Sequence, residues 1–258
     1  MPDFLTKLID DAQKRVRGGY YNVREETKRQ PLSLKHAIKS AKKNAIIAEI
    51  KPISPARGPL RPMIDPVEAA HRLEKGGAIA LSVLTEPDNF GGSLEILRRV
   101  GAAVRIPVLM KDVMIDPVQI EAGRKTGADC ILLIESAFSN HRVASLEAMI
   151  DDAHKCQLEV LLEVHNEEEL GRALKSQADI VGINNRNLAT LEIDLQTTTR
   201  LVGKITQRAG KLVVSESGLE SAEDIRKLKS ATVDGFLIGS SIMLSQDWES
   251  KVREFVVA

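Results

Sequence analysis

Ala45-Ile46-Ile47-Ala48-Glu49-Ile50-Lys51 begins with four apolar residues and ends on two charges separated by one isoleucine. A run this apolar has no polar face to offer water, so as a strand it belongs in a parallel sheet covered on both sides. Its charges stand two residues apart and project in one direction. Seven more runs of this form follow, at residues 79–86, 107–112, 130–136, 159–165, 180–186, 211–217 and 235–241. Their C-terminal ends carry Lys111, then Glu163 and His165, Asn184 and Arg186, Glu216 and Ser217, and Gly239 and Ser240.

Helical patterns fill the intervals, at residues 67–75, 94–100, 118–126, 144–155, 168–175, 197–206, 222–228 and 246–256. Asp65-Pro66 and Asp116-Pro117 mark two starts, each placing a capping carboxylate before a proline whose missing N–H costs nothing there. Eight strand–helix units predict an α/β chain folded as a (β/α)8 TIM barrel over residues 45–258. An open doubly wound sheet is the alternative, but its glycine-rich turn is replaced after the first strand by Lys51-Pro52-Ile53-Ser54-Pro55.

Residues 1–44 form an N-terminal helical extension. Phe4, Leu5, Leu8, Ile9 and Ala12 share one face of a helix over residues 3–16, which Gly18-Gly19 breaks. A second helix over 34–43 is capped by Ser33, and the pair is expected as a layer across one barrel mouth. No linker or low-complexity stretch interrupts residues 1–258, which read as a single domain.

Strand parity sorts the side chains. Glu49 stands above Ile47, Lys111 above Leu109, Glu163 above Leu161 and Glu216 above Val214. If these files face inward, Glu49, Lys51, Lys111, Glu163, Asn184, Arg186 and Glu216 ring one mouth. Unpaired buried charge is costly, so such a ring either does chemistry or closes the barrel top with internal salt bridges. Ser217-Gly218 and Gly239-Ser240 are small enough for a ligand to approach the backbone, and barrels of this kind hold phosphate after strands seven and eight. Ser54 can add a hydroxyl. The loop over residues 52–64, with Arg57, Gly58 and Arg61, is expected to close over that phosphate. His36, His71, His141 and His154 have no neighbours at metal-ligand spacing, and no metal site is expected.

Bulk properties narrow the classes. Of 258 residues, 43% are hydrophobic and 28% charged, enough for a real core. Formal net charge is zero, which favours neither nucleic acid nor an anionic membrane. Cys130 and Cys156 do not make a disulfide framework, and no apolar signal core or membrane span is visible. A cytoplasmic monomer acting on a small molecule is expected.

Together the strings Ile47–Pro55, Ser82–Pro87 with Phe90-Gly91-Gly92-Ser93, Leu109–Asp112, Leu162–His165, Gly182–Leu188, Ser215–Gly218 and Phe236–Ser241 resemble the indole-3-glycerol-phosphate synthase family over nearly the whole chain. The resemblance implies closure of the indole ring of 1-(2-carboxyphenylamino)-1-deoxyribulose 5-phosphate, with loss of CO2 and water, without metal or organic cofactor. It implies Lys111 as principal acid, Glu163 as base and Lys51 on the substrate carboxylate, with an acid role in one step open to Lys51. Glu49, Asn184 and Glu216 would hold the lysines and substrate hydroxyls, and Arg186 would brace the network. Ser54, Ser217, Gly218, Gly239 and Ser240 would hold phosphate, and Phe90, Leu132, Leu188 and Leu237 would form the slot for the aromatic ring. The sequence departs from the family at Val113, where phenylalanine is usual, leaving that slot wider or less aromatic. Other enzymes on the same scaffold, such as a phosphoribosylanthranilate isomerase, lack support because no cysteine follows the first strand. A non-catalytic phosphosugar binder would not need both lysines and their carboxylates.

Overall fold

The computed structural model describes residues 3–139 and 143–258, so His141 lies outside the described residues. Eight parallel strands close a barrel: β1 (Ile46–Ile50), β2 (Ala80–Leu84), β3 (Val108–Lys111), β4 (Cys130–Ile134), β5 (Glu159–Val164), β6 (Ile180–Asn184), β7 (Leu212–Glu216) and β8 (Gly235–Ile238). Each pairs with its sequence neighbour, and β8 pairs with β1. The open-sheet alternative is thereby excluded.

The parity reading holds residue by residue. Ile47, Leu109, Leu161 and Val214 are fully buried in the cluster that fills the barrel. The alternate residues Ile46, Ala48, Ile50, Leu81, Val83, Val108 and Met110 pack outward with the helices. Buried on both faces, the strands need no polar alternation.

Most of the helices start where a side chain caps them. Asp3 accepts Thr6 N–H at 2.8 Å ahead of α1 (Phe4–Arg17), and Ser33 accepts His36 N–H at 2.9 Å ahead of α2 (Leu34–Ser40). Asp65 and Asp116 cap α3 (Pro66–Lys75) and α5 (Pro117–Thr126), with α4 (Leu94–Ala103) between them. Four of the remaining helices are α6 (Leu146–Lys155), α7 (Glu167–Lys175), α8 (Gln196–Val202) and α9 (Ala222–Ser230), and α10 (Trp248–Val257) ends the chain. Two apolar runs extend past their strands in the sequence: Glu135–Ser139 and Ser240–Leu244 are short helices. Residues 53–59 form a small hairpin, Ile53–Ser54 against Gly58–Pro59. Beyond it Arg61 donates to the carbonyls of Met243 and Ser245 at 3.0 and 3.1 Å.

Three aspartates tie the strands from below. Asp129, Asp179 and Asp234 each precede a strand and accept an N–H from the first or second residue of the one before it: Val108 at 2.7 Å, Val160 at 2.9 Å and Val213 at 2.7 Å. Each carboxylate thus satisfies a strand-end donor that has no ladder partner there.

The extension departs from the expected single layer. α1 lies over the C-terminal mouth, where Phe4 and Leu8 reach the central cavity. Its Arg15 donates to Glu86 and Asp88, both at 2.7 Å. α2 lies under the opposite mouth, where Ser33 and the Lys35 N–H bind Glu159 at the start of β5. The extended segment between them runs down the barrel side. There Arg29 donates to the carbonyls of Gly101, Val104 and Ile106, each at 2.7 Å, and to Asp129 at 2.7 Å. A guanidinium at the C-terminus of α4 satisfies carbonyls the helix leaves open and complements its dipole. Hydrophobic patterning marks both helices but cannot tell which mouth each one covers.

Candidate active site

The strand ends converge on one cavity, part of it open to solvent. It is lined by Glu49, Lys51, Lys111, Glu163, Asn184, Arg186 and Glu216. Ser54, Ser217, Gly218, Gly239 and Ser240 lie on its wall, as do Phe90, Leu132, Leu188 and Leu237. Every residue expected in the ring, the phosphate seat and the apolar slot is therefore brought together.

The ring is an alternation of opposite charges. Lys111 Nζ lies 3.0 Å from Glu163 Oε2 and 3.6 Å from Glu216 Oε2. Lys51 Nζ lies 2.7 Å from Glu49 Oε1, while Ser82 donates to Glu49 Oε2 at 3.5 Å. Asn184 Oδ1 accepts the Arg186 N–H at 2.9 Å, and the Arg186 guanidinium donates to the Leu191 carbonyl at 2.8 Å. Arg186 thus braces its own loop, and burial, helped by nearby Arg57, lowers its pKa.

Burial by itself would lower Lys111, but the carboxylates of Glu163, Glu216 and Glu49 outweigh it and raise the lysine above its usual range. Burial would likewise raise Glu163, but Lys111, His165 and Asn184 hold it well below the ordinary glutamate value. Glu216 goes the other way: burial pushes it up to about 8, aided by Glu163 and Glu49 against the pull of Lys111. Neither Glu216 oxygen has a hydrogen-bond partner among the described residues.

Two glycines make this crowding possible. A Cβ on Gly182 would collide with Glu216 Oε1 and Leu161, and one on Gly239 would collide with Glu49 Oε1. Gly239 therefore leaves room for a carboxylate of the ring, besides opening the backbone near Ser240. At Ser217 and Gly218 the chain takes two successive positive φ angles, 67° and 81°, which turn it sharply above β7. The short helix after β8 starts without a side-chain cap, so its first N–H groups face the cavity end unclaimed by a cap.

The sequence did not place Phe4 and Leu8 at the site. Phe4 and Leu8 come from α1, whose apolar face was legible but not its destination. Arg57 reaches the rim and pairs with Glu220. Val113 is buried and lines the cavity, its N–H bound to Asp112 and its carbonyl to Gln119. His165 stands behind Glu163 and lines an adjoining, more polar cavity with Glu169. Among the described residues, no group of three or more His, Cys, Asp or Glu is placed to hold a metal ion. None of the described helices is long and apolar enough to cross a membrane.

A profile of the indole-3-glycerol phosphate synthase family matches residues 5–255. The chain belongs to that family. An indole-3-glycerol phosphate synthase from a Polaromonas species is 40% identical over 96% of this chain and 96% of its own length. One from Carboxydothermus hydrogenoformans is 39% identical over 99% of this chain and its full length. Among solved structures, a thiamine phosphate pyrophosphorylase from Pyrococcus furiosus superposes with a TM-score of 0.62 over 86% of this chain and 96% of its own. At 17% identity that likeness concerns the fold alone. As an indole-3-glycerol phosphate synthase family member, the chain is a carboxy-lyase of tryptophan biosynthesis. It closes the indole ring of 1-(2-carboxyphenylamino)-1-deoxyribulose 5-phosphate with loss of CO2 and water.

Proposed function

We propose that Lys111 is the principal general acid of this ring closure and Glu163 its base. The observation that carries the reading is the 3.0 Å contact between Lys111 and Glu163 inside a cavity that also holds an apolar wall and a small-residue wall. The surrounding glutamates, Glu163 closest, keep Lys111 cationic, so it is loaded with a proton when substrate arrives. As the aromatic carbon attacks the ketone, Lys111 delivers that proton to the oxygen. The ring carboxyl then leaves as CO2, and its bonding electrons return to the ring. Loss of the new hydroxyl as water takes a second proton, given by Lys51, and Glu163 takes the last proton from carbon as the indole becomes aromatic. Glu163 suits this step because its low pKa keeps it ionised in the free enzyme.

Lys51, held by Glu49, receives the anthranilate carboxylate. Ser54, Ser217, Gly218, Gly239 and Ser240 hold the phosphate, while Asn184 and Glu216 meet the sugar hydroxyls. Phe90, Leu132, Leu188 and Leu237, joined by Phe4, Leu8 and Val113, enclose the aromatic ring. The protein works as a cytoplasmic monomer on this small phosphorylated substrate, with no nucleic-acid partner.

The test is direct. Lys111→Ala and Glu163→Gln should each lower kcat by at least about 100-fold, the low end for a general acid or base. Product is followed by indole fluorescence after addition of the carboxyphenylamino-deoxyribulose phosphate. Turnover retained by either variant removes that residue's role.

A further inference from the structure

Glu163 is gripped at both oxygens. Oε2 faces Lys111 at 3.0 Å, and Oε1 faces His165 Nε2 at 3.3 Å, a contact close enough for charge but not aligned as a hydrogen bond. The other side of the imidazole is fixed. Glu169 Oε2 lies 3.1 Å from His165 Nδ1 and accepts the His165 backbone N–H at 2.7 Å. Asn166 in turn holds Glu169 Oε1 at 2.6 Å. This chain of contacts places the Nδ1 proton toward α7 and aims Nε2 at the base.

We propose that His165 is a positioning residue: steered by Glu169, its imidazolium keeps Glu163 ionised and oriented while Lys111 gives its proton to the substrate. The proposal rests on Glu163 being the base and says what sustains it through the reaction. Once Lys111 is neutral, one of the two cations on Glu163 is gone, and His165 is the one that stays. Burial would lower the imidazole, but its contacts with Glu163 and Glu169 raise it to about 9, so it is charged at neutral pH. His165 lines the second cavity and not the first, so it holds the base without touching substrate.

The other charges in view do not replace it. Glu216 and Glu49 gather around Lys111 and bring no positive charge to Glu163. Across the second cavity stand Asp3, Arg186, Glu192, Asp194 and Arg200. Arg200 lies 3.7 Å from Asp194, and Arg186 is bound to the Leu191 carbonyl.

The experiment compares pH profiles of kcat/KM for the wild type, His165→Gln and Glu169→Gln, with Glu163→Gln measured beside them. In His165→Gln the acid limb should move to higher pH by about one unit, the tenfold in proton affinity that a charge-assisted contact commonly supplies. At neutral pH kcat should fall while KM stays within about twofold, since a group acting only through the base leaves ground-state binding alone. Glu169→Gln should shift the limb in the same direction by less. An unmoved limb, or a loss confined to KM, overturns the proposal while leaving the base assignment standing, provided Glu163→Gln is inactive. An active Glu163→Gln overturns both. If His165→Gln fails to fold, Glu169→Gln decides alone, because it leaves the imidazole in place: a limb that stays put refutes the steering.

Discussion

Glu216 and Glu163 occupy equivalent heights on their strands, yet their surroundings treat them oppositely. Glu163 meets a cation at each oxygen, whereas Glu216 meets only Lys111, at 3.6 Å, and has no hydrogen bond. Near neutral pH Glu216 therefore holds its proton and offers the site a neutral acid beside a cationic one. A folded-state value raised from 4.5 to about 8 means that the native state binds this proton more tightly than the unfolded chain. Its stabilising contribution is complete below pH 4.5 and is lost as pH rises through about 8. Glu216→Gln keeps the shape without the ionisation. Between pH 5 and 9 the variant should gain thermal stability relative to wild type, read as the difference in Tm at each pH. A gap that stays constant across the range would contradict the assignment. Parity in the sequence puts Glu216 in the ring but says nothing of its charge. That depends on the space left by Gly182 on the neighbouring strand and on burial, neither of which is local to residue 216.

The strands were legible because both of their faces are apolar and their chemistry sits at one end. Their limits were less so. Glu135 and Ser240 continue apolar runs in sequence, but each opens a short helix that turns the chain away from the barrel. The aspartate ties were invisible for a different reason: Asp129 reads as an ordinary turn residue, and its acceptor role exists only once β3 and β4 are side by side. These ties differ in depth. Asp129 is buried and serves Val108, Leu32 and Arg29, whereas the side chain of Asp234 is 29% exposed and serves Val213 and Arg208. Asp129→Ala leaves Arg29 without its carboxylate and should cost about 3 kcal/mol, a typical penalty for breaking a buried ion pair. Asp234→Ala should cost less. Urea midpoints at constant m would measure both, and equal losses would argue against depth as the deciding factor.

Across the whole molecule, α1 is fastened by a buried charge cluster rather than by apolar packing alone. Arg15 reaches Glu86, Asp88 and Asp112, while Tyr21 and Thr85 donate to Asp112 at 3.0 and 2.7 Å. Burial still leaves Asp112 raised to about 6, with Thr85 and Arg15 pulling against it. Arg15→Met would leave Glu86 and Asp112 uncompensated, so α1 should lift and carry Phe4 and Leu8 out of the cavity. KM should rise severalfold, and a protease should cut the segment 18–33 well below the temperature at which the barrel melts. Unchanged KM together with full protection would show that apolar contacts suffice. The amphipathic face of α1 was plain in the sequence, but the orientation came from charges at residues 86, 88 and 112, which only the barrel brings together. The same wrapping bears on how the chain is made. Thr85, Glu86, Asp88, Asp112, Asp129 and Glu159, which receive α1, its connector and α2, all lie in the first five strand units. A chain emerging from the ribosome has therefore already displayed these anchors before β6 to β8 are translated. The extension, made before those strands, can clasp an unfinished half-barrel and hold its edges while the remaining strands arrive.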